Sequence, residues 1–120
     1  MEDKNTNKPS PQEVEKMLRD YQMIQEQIRS FSMQMEQLAI QKNEFQTAKE
    51  EIEKAIGKVY VTVGGVIVET NKEAALKNIA EKGESGEVRL QSTNKQLNEL
   101  KSKEKTLREK ITQISNTMQQ

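Results

Sequence analysis

Residues 59–70 read VYVTVGGVIVET, the β-branched run of a 120-residue chain that is 32% charged and 3% aromatic. Val59–Val63 and Val66–Thr70 carry side chains that suit a pleated surface. Gly64-Gly65 between them fits a two-residue type I′ turn, which needs positive φ at both central positions. So short a loop sets the register: Val63 opposite Val66, Val61 opposite Val68, Val59 opposite Thr70, and Thr62 opposite Ile67 on the other side of the ribbon. A lone two-stranded hairpin is marginal in water. Its edges also present unpaired N–H and C=O groups. The stretch therefore asks for strands from elsewhere to complete its sheet.

The composition limits what the rest can be. The length permits one domain. Hydrophobic residues make up 32% of the chain, with no Trp, two Phe and two Tyr. That is too few to fill a broad core but enough for a narrow seam between helices. Cys and His are both absent. No disulfide, thiolate chemistry or imidazole base is expected, and neither is a metal site. Lys plus Arg and Asp plus Glu number 19 each, which gives no support to nucleic-acid binding. The pattern GxxxxGK[ST] does not occur, so no nucleotide or other cofactor is expected. The start, MEDKNTNKPSP, lacks the apolar core of a signal peptide. The hairpin falls far short of the ~20 residues needed to span a bilayer. A soluble, cytoplasmic protein without membrane partners is expected, and a binding or structural role is favoured over an enzyme.

Residues 1–11 are polar with two prolines and read as a disordered arm. A single domain follows over 12–120, made of a helix at 12–57, the hairpin at 58–70 and a helix at 71–118. Steps alternating three and four from Val14 pass through Met17, Tyr21, Ile24, Ile28, Phe31 and onward to Val59. Twelve of these fourteen positions are apolar, the exceptions being Lys42 and Lys49. A run held in phase over six heptads is a coiled-coil signal that random polar sequence would not keep. Thr70 and Glu73 fit a capping box opening the second helix. From Leu76 the same stepping to Met118 meets apolar residues at nine of thirteen positions. Its weak part is KGESGE at 82–87, where a kink or local fraying is expected, since each helix-interior Gly costs about 1 kcal/mol relative to Ala.

Two helices of nearly equal length joined by a tight hairpin fold back as an antiparallel coiled coil. Symmetry about Gly64-Gly65 brings residue i near residue 129 − i, so Lys42 falls by Glu87 and Phe45 between Gly83 and Gly86. Those glycines either leave room for the Phe45 ring or are a plain helix defect. At the end away from the hairpin the apolar pattern persists almost to the C-terminus. Val14, Met17, Leu18 and Tyr21 come from the first helix there, and Ile111, Ile114 and Met118 from the second. A two-helix seam buries only part of such side chains, and Met adapts to partners of many shapes. These residues either zip the helices together or form a binding surface.

The stretch KVYVTVGGVIVETNKEAALKNIAEK, residues 58–82, resembles the central signature of β-type prefoldin subunits: a Val-Tyr strand, a Gly-containing turn, an Ile/Val strand and a Lys-Glu-Ala helix start. The resemblance covers nearly the whole chain after the arm and is closer to archaeal β subunits. A single hairpin points to the β-type, since α-type members carry two. The Gly83/Gly86 pair departs from the unbroken charged helix of that family. The resemblance implies a mainly α fold, a long antiparallel two-helix coiled coil whose one central β-hairpin completes a β-barrel with other subunits. It implies a hexamer of two α-type and four β-type chains, so the partners are α-type subunits and further copies of this chain. Residues 59–68 (Val59, Tyr60, Val61, Thr62, Val63, Gly64, Gly65, Val66, Ile67, Val68) would carry assembly. It further implies an ATP-independent co-chaperone that holds unfolded client proteins at Val14, Met17, Leu18, Tyr21, Ile111, Ile114 and Met118 and delivers them to a group II chaperonin. The rival expectations are a coiled-coil spacer with the hairpin as a passive cap, or a scaffold subunit of a prefoldin-like complex.

Overall fold

The computed structural model describes residues 9–118, in the order α1 (Pro11–Lys54), β1 (Val59–Val63), β2 (Val66–Thr70) and α2 (Lys72–Met118). Of the arm expected over residues 1–11, residues 1–8 lie outside the described residues, and Pro11 already belongs to α1. Ser10 explains that start. Its N–H donates to Glu13 Oε1 at 2.7 Å, and Glu13 N–H donates back to Ser10 Oγ at 3.1 Å. The reciprocal pair is a capping box, and Pro11 stands at the first helical position, where a missing N–H costs nothing. The motif SPQE was readable in the sequence.

α1 ends at Lys54, three residues short of the expected Gly57. Ala55 N–H closes a tighter turn on Ile52 O at 3.1 Å, and Gly57 follows at φ 99°, a left-handed conformation that suits Gly. One of the carbonyls orphaned at this end is satisfied from α2, where Lys72 Nζ donates to Glu53 O at 2.6 Å. α2 is not capped by Thr70 and Glu73 as expected. Asn71 takes that place: its Oδ1 accepts from Ala74 N–H at 2.7 Å, and its carbonyl accepts from Ala75 N–H at 2.9 Å. Asn is as good an N-cap as Thr or better, and Thr70 is held in the β2 ladder opposite Val59. Of the kink or fraying expected at 82–87, fraying does not appear; α2 is continuous from Lys72 to Met118.

β1 and β2 pair antiparallel in the expected register, from Val63↔Val66 to Val59↔Thr70. Gly64 and Gly65 have φ of 56° and 83°, the two positive values of a type I′ turn.

The chain divides into two compact units, residues 34–93 and the paired segments 9–33 with 94–118. In the first unit the helical segments run antiparallel, as the contacts of Lys42 with Glu87 and of Lys72 with Glu53 show. Its best-buried side chains are Val59, at the base of the hairpin, Ala75, on the first turn of α2, and Thr93. In the second unit Leu97 is buried, and Val14, Met17, Tyr21, Ile24, Ile28 and Phe31 are half-buried. No residue of α1 is fully buried, as befits a two-helix seam with no third layer. The seam departs from strict stepping late in α1 and just beyond its end, where Ala48 and Ala55 turn inward while Lys49 and Ile56 face water. No membrane-crossing helix, long and apolar enough, occurs among the described residues.

Candidate assembly and binding surfaces

The hairpin is exposed on both faces toward its turn. On the face of Val59, Val61, Val63, Val66 and Val68, burial fades toward the turn: Val59 is buried and Val61 half-buried, while Val63, Val66 and Val68 are exposed. The opposite face offers Tyr60, Thr62 and Ile67, of which Ile67 is 72% exposed. Lys58 and Glu69 close its base with an ion pair at 3.7 Å.

The backbone is equally unfinished. A two-residue loop makes Val63 and Val66 a hydrogen-bonded pair, and such pairs alternate along an antiparallel ladder. Val61–Val68 and Val59–Thr70 are then bonded within the hairpin. The N–H and C=O of Tyr60 and Thr62 point out from one edge, and those of Ile67 and Glu69 from the other. The sheet has two strands only among the described residues, so both edges can take a further strand. The residues expected to carry assembly thus sit together on one small sheet with apolar faces and open edges.

The second group of candidate residues lies in the unit of 9–33 and 94–118. Val14, Met17, Tyr21, Ile111 and Ile114 are half-buried along the seam, whereas Leu18 and Met118 are exposed. Tyr21 Oη donates to Glu104 Oε2 at 2.8 Å, and Arg108 Nη1 stands 3.7 Å from the same oxygen. The carboxylate holds the Tyr21 phenol protonated above its ordinary pKa, chiefly by accepting that hydrogen bond, while Arg108 acts weakly in the other direction. At the start of α1 the Glu13 carboxyl lies below its ordinary range because it accepts hydrogen bonds from Ser10.

Further exposed apolar residues were not singled out by the heptad stepping: Met23, Met33, Ile40 and Val88. The signal for them was their position off the seam. Met23 precedes Ile24, for example, and only one of two neighbours on a helix can face the partner. No cluster of His, Cys, Asp or Glu able to hold a metal occurs among the described residues.

Comparison with known proteins agrees with this geometry. The family model described as prefoldin subunit matches residues 15–118. The prefoldin subunit beta of Pyrococcus furiosus is 39% identical over 103 residues, covering 84% of this chain and 88% of that one. The prefoldin subunit beta of Methanosarcina acetivorans is 30% identical over 105 residues, 86% of this chain and 90% of that one. The crystal structure of the prefoldin beta subunit from Thermococcus strain KS-1 superposes with a TM-score of 0.78 at 34% identity, over 87% of this chain and 92% of that one. Two long helices around one hairpin, an open sheet and these relatives place the chain in the prefoldin family, as a β-type subunit.

Proposed function

We propose that this chain is one of four β-type subunits that join two α-type subunits through their hairpins, and that the complex captures non-native polypeptides and passes them to a group II chaperonin in the cytoplasm without ATP. The observation that carries the proposal is the unfinished hairpin, with exposed valines and Ile67 on its two faces and free backbone groups at Tyr60, Thr62, Ile67 and Glu69. A passive cap would leave that surface in water as an aggregation hazard. A barrel built with other hairpins pairs the edges and buries the inward face. Clients would be held by Val14, Met17, Leu18, Tyr21, Ile111, Ile114 and Met118. Several weak apolar contacts on adaptable side chains suit varied unfolded chains better than a rigid pocket. The chain brings no His or Cys, and the proposed role asks for no bond to be made or broken.

Native mass spectrometry of the complex from cells tests the assembly. A mass of four copies with two of a similar small helical protein is expected, and Val61→Lys or Val68→Lys should dissociate it. A monomer or homodimer, or a mass unchanged by both substitutions, would remove the hairpin from this role. Deleting the terminal turns should spare the assembly and abolish suppression of aggregation of a chemically unfolded protein. Unchanged suppression would move the client surface elsewhere.

A further inference from the structure

The unit of 9–33 and 94–118 carries a shallow groove of about 460 Å³. Met23, Ile24 and Leu107 supply its apolar lining, and Lys103, Lys110 and Asp20 its charges. Met23 is 57% exposed, an unbranched side chain that can move to fit what lies against it. Positions 103, 107 and 110 are successive turns of one helix face, so the two lysines flank Leu107. The charges are unequal in effect. Asp20 is already paired, its Oδ2 lying 3.1 Å from Lys16 Nζ. Lys103 and Lys110 form no ion pair among the described residues. The chain as a whole has formal net charge +0, so a positive rim here is a local arrangement and not a consequence of composition.

We propose that this groove takes an extended polypeptide segment in which a large apolar side chain is flanked by Asp or Glu. The apolar group lies against Met23, Ile24 and Leu107, and the flanking carboxylates face Lys103 and Lys110. The proposal rests on the capture of non-native polypeptides argued above and names the kind of segment preferred. The apolar contact supplies adhesion, and the lysines select among apolar segments by charge. Exposed ion pairs are weak, so the selection is modest, roughly threefold to tenfold for two lysines, and it fades as added salt shortens the screening length.

Fluorescence anisotropy with the full-length protein in its native assembly tests this. Two labelled peptides share one apolar centre, flanked by Asp in one and by Lys in the other. The Asp-flanked peptide should bind tighter by that factor at low salt. Lys103→Gln with Lys110→Gln should erase the preference, and Lys103→Glu with Lys110→Glu should reverse it. Lys101→Glu with Lys105→Glu, on the same helix but outside the groove, should leave it in place. Met23→Ser should weaken both peptides alike. Equal affinities in the wild type, no binding of either peptide, or an equal response to the Lys101/Lys105 pair would overturn the proposal. Suppression of aggregation of an unfolded protein, measured on the same samples, separates the two levels. Retained suppression with equal peptide affinities overturns the acidic preference alone. Absent suppression in the wild type overturns capture itself.

Discussion

Tyr21 and Glu104, 83 positions apart, are joined by a hydrogen bond of 2.8 Å across the two helices. Glu104 stands at a seam position where apolar residues prevail, its side chain only 16% exposed, with Arg108 as a second neighbour. A polar residue in an apolar seam lowers stability but pins the pairing, because sliding either helix would strand the carboxylate against apolar neighbours. The Tyr21–Glu104 bond is therefore expected to help hold register within its unit.

Removing the hydroxyl should expose that role. Tyr21→Phe is expected to lower Tm by a few degrees at neutral pH, because Glu104 loses its strongest partner. The pH dependence has a definite sign. The folded-state pKa of Tyr21 is raised above its ordinary value of 10.0. The contribution is therefore complete below that value and is lost as pH rises through the folded-state pKa. Melting curves of wild type and Tyr21→Phe should converge in alkaline buffer; a constant gap would show that the phenol proton is not involved.

The N-terminus of α1 responds at the acid end. Glu13 has a lowered pKa in the folded state, so its support of the first turn is present above its ordinary value of 4.5 and is lost as pH falls through the folded-state pKa. Ser10→Ala removes the other half of the box and should cost roughly 1 kcal/mol, read as lost amide protection in the first turn. Protection that stays the same in acid and in Ser10→Ala would mean the helix end is held by other contacts.

Asn71 and Thr70 can be told apart as caps of α2. Asn71→Ala should cost about 1 kcal/mol in chemical denaturation, and Asn71→Gly only a few tenths. A larger loss from Asn71→Gly than from Asn71→Ala would contradict the cap.

The helix glycines of α2 have room for a methyl group. A Cβ on Gly86 would lie 3.9 Å from Phe45 Cε2, an ordinary contact, and one on Gly83 would meet nothing within 4 Å. Gly83→Ala and Gly86→Ala should each stabilise by up to about 1 kcal/mol and raise Tm. A fall in Gly86→Ala would show that the Phe45 ring needs the gap.

Much of this fold was legible because few physical choices were open. A two-residue Gly-Gly turn leaves one register, and all the expected cross-strand partners are found. Symmetry about that turn placed Lys42 by Glu87, and their Nζ and Oε1 are 3.1 Å apart. It also placed Phe45 beside the glycines, of which Gly86 is the one in contact. The seam of α2 followed its stepping from Leu76 to Ile114, with only Met118 turned out.

Elsewhere the sequence offered neighbouring options that local rules did not separate. Thr70 and Asn71 both make acceptable caps, but Thr70 is committed to the ladder opposite Val59. Ile56 continued the stepping on paper, yet the chain leaves the helix at Lys54 and Gly57 turns it into β1, so Ile56 is 99% exposed. At Ala48 and Lys49 the small side chain went inward, because a lysine at the seam must keep its charged head in water. The groove beside Met23, with its pair of lysines, is built by two segments distant in sequence, and no local pattern announces it. Periodicity and turn chemistry are local and were determined by the sequence alone. Which polar group meets which, and which apolar side chains stay in water, depended on the second helix lying against the first, and only the tertiary structure decided it.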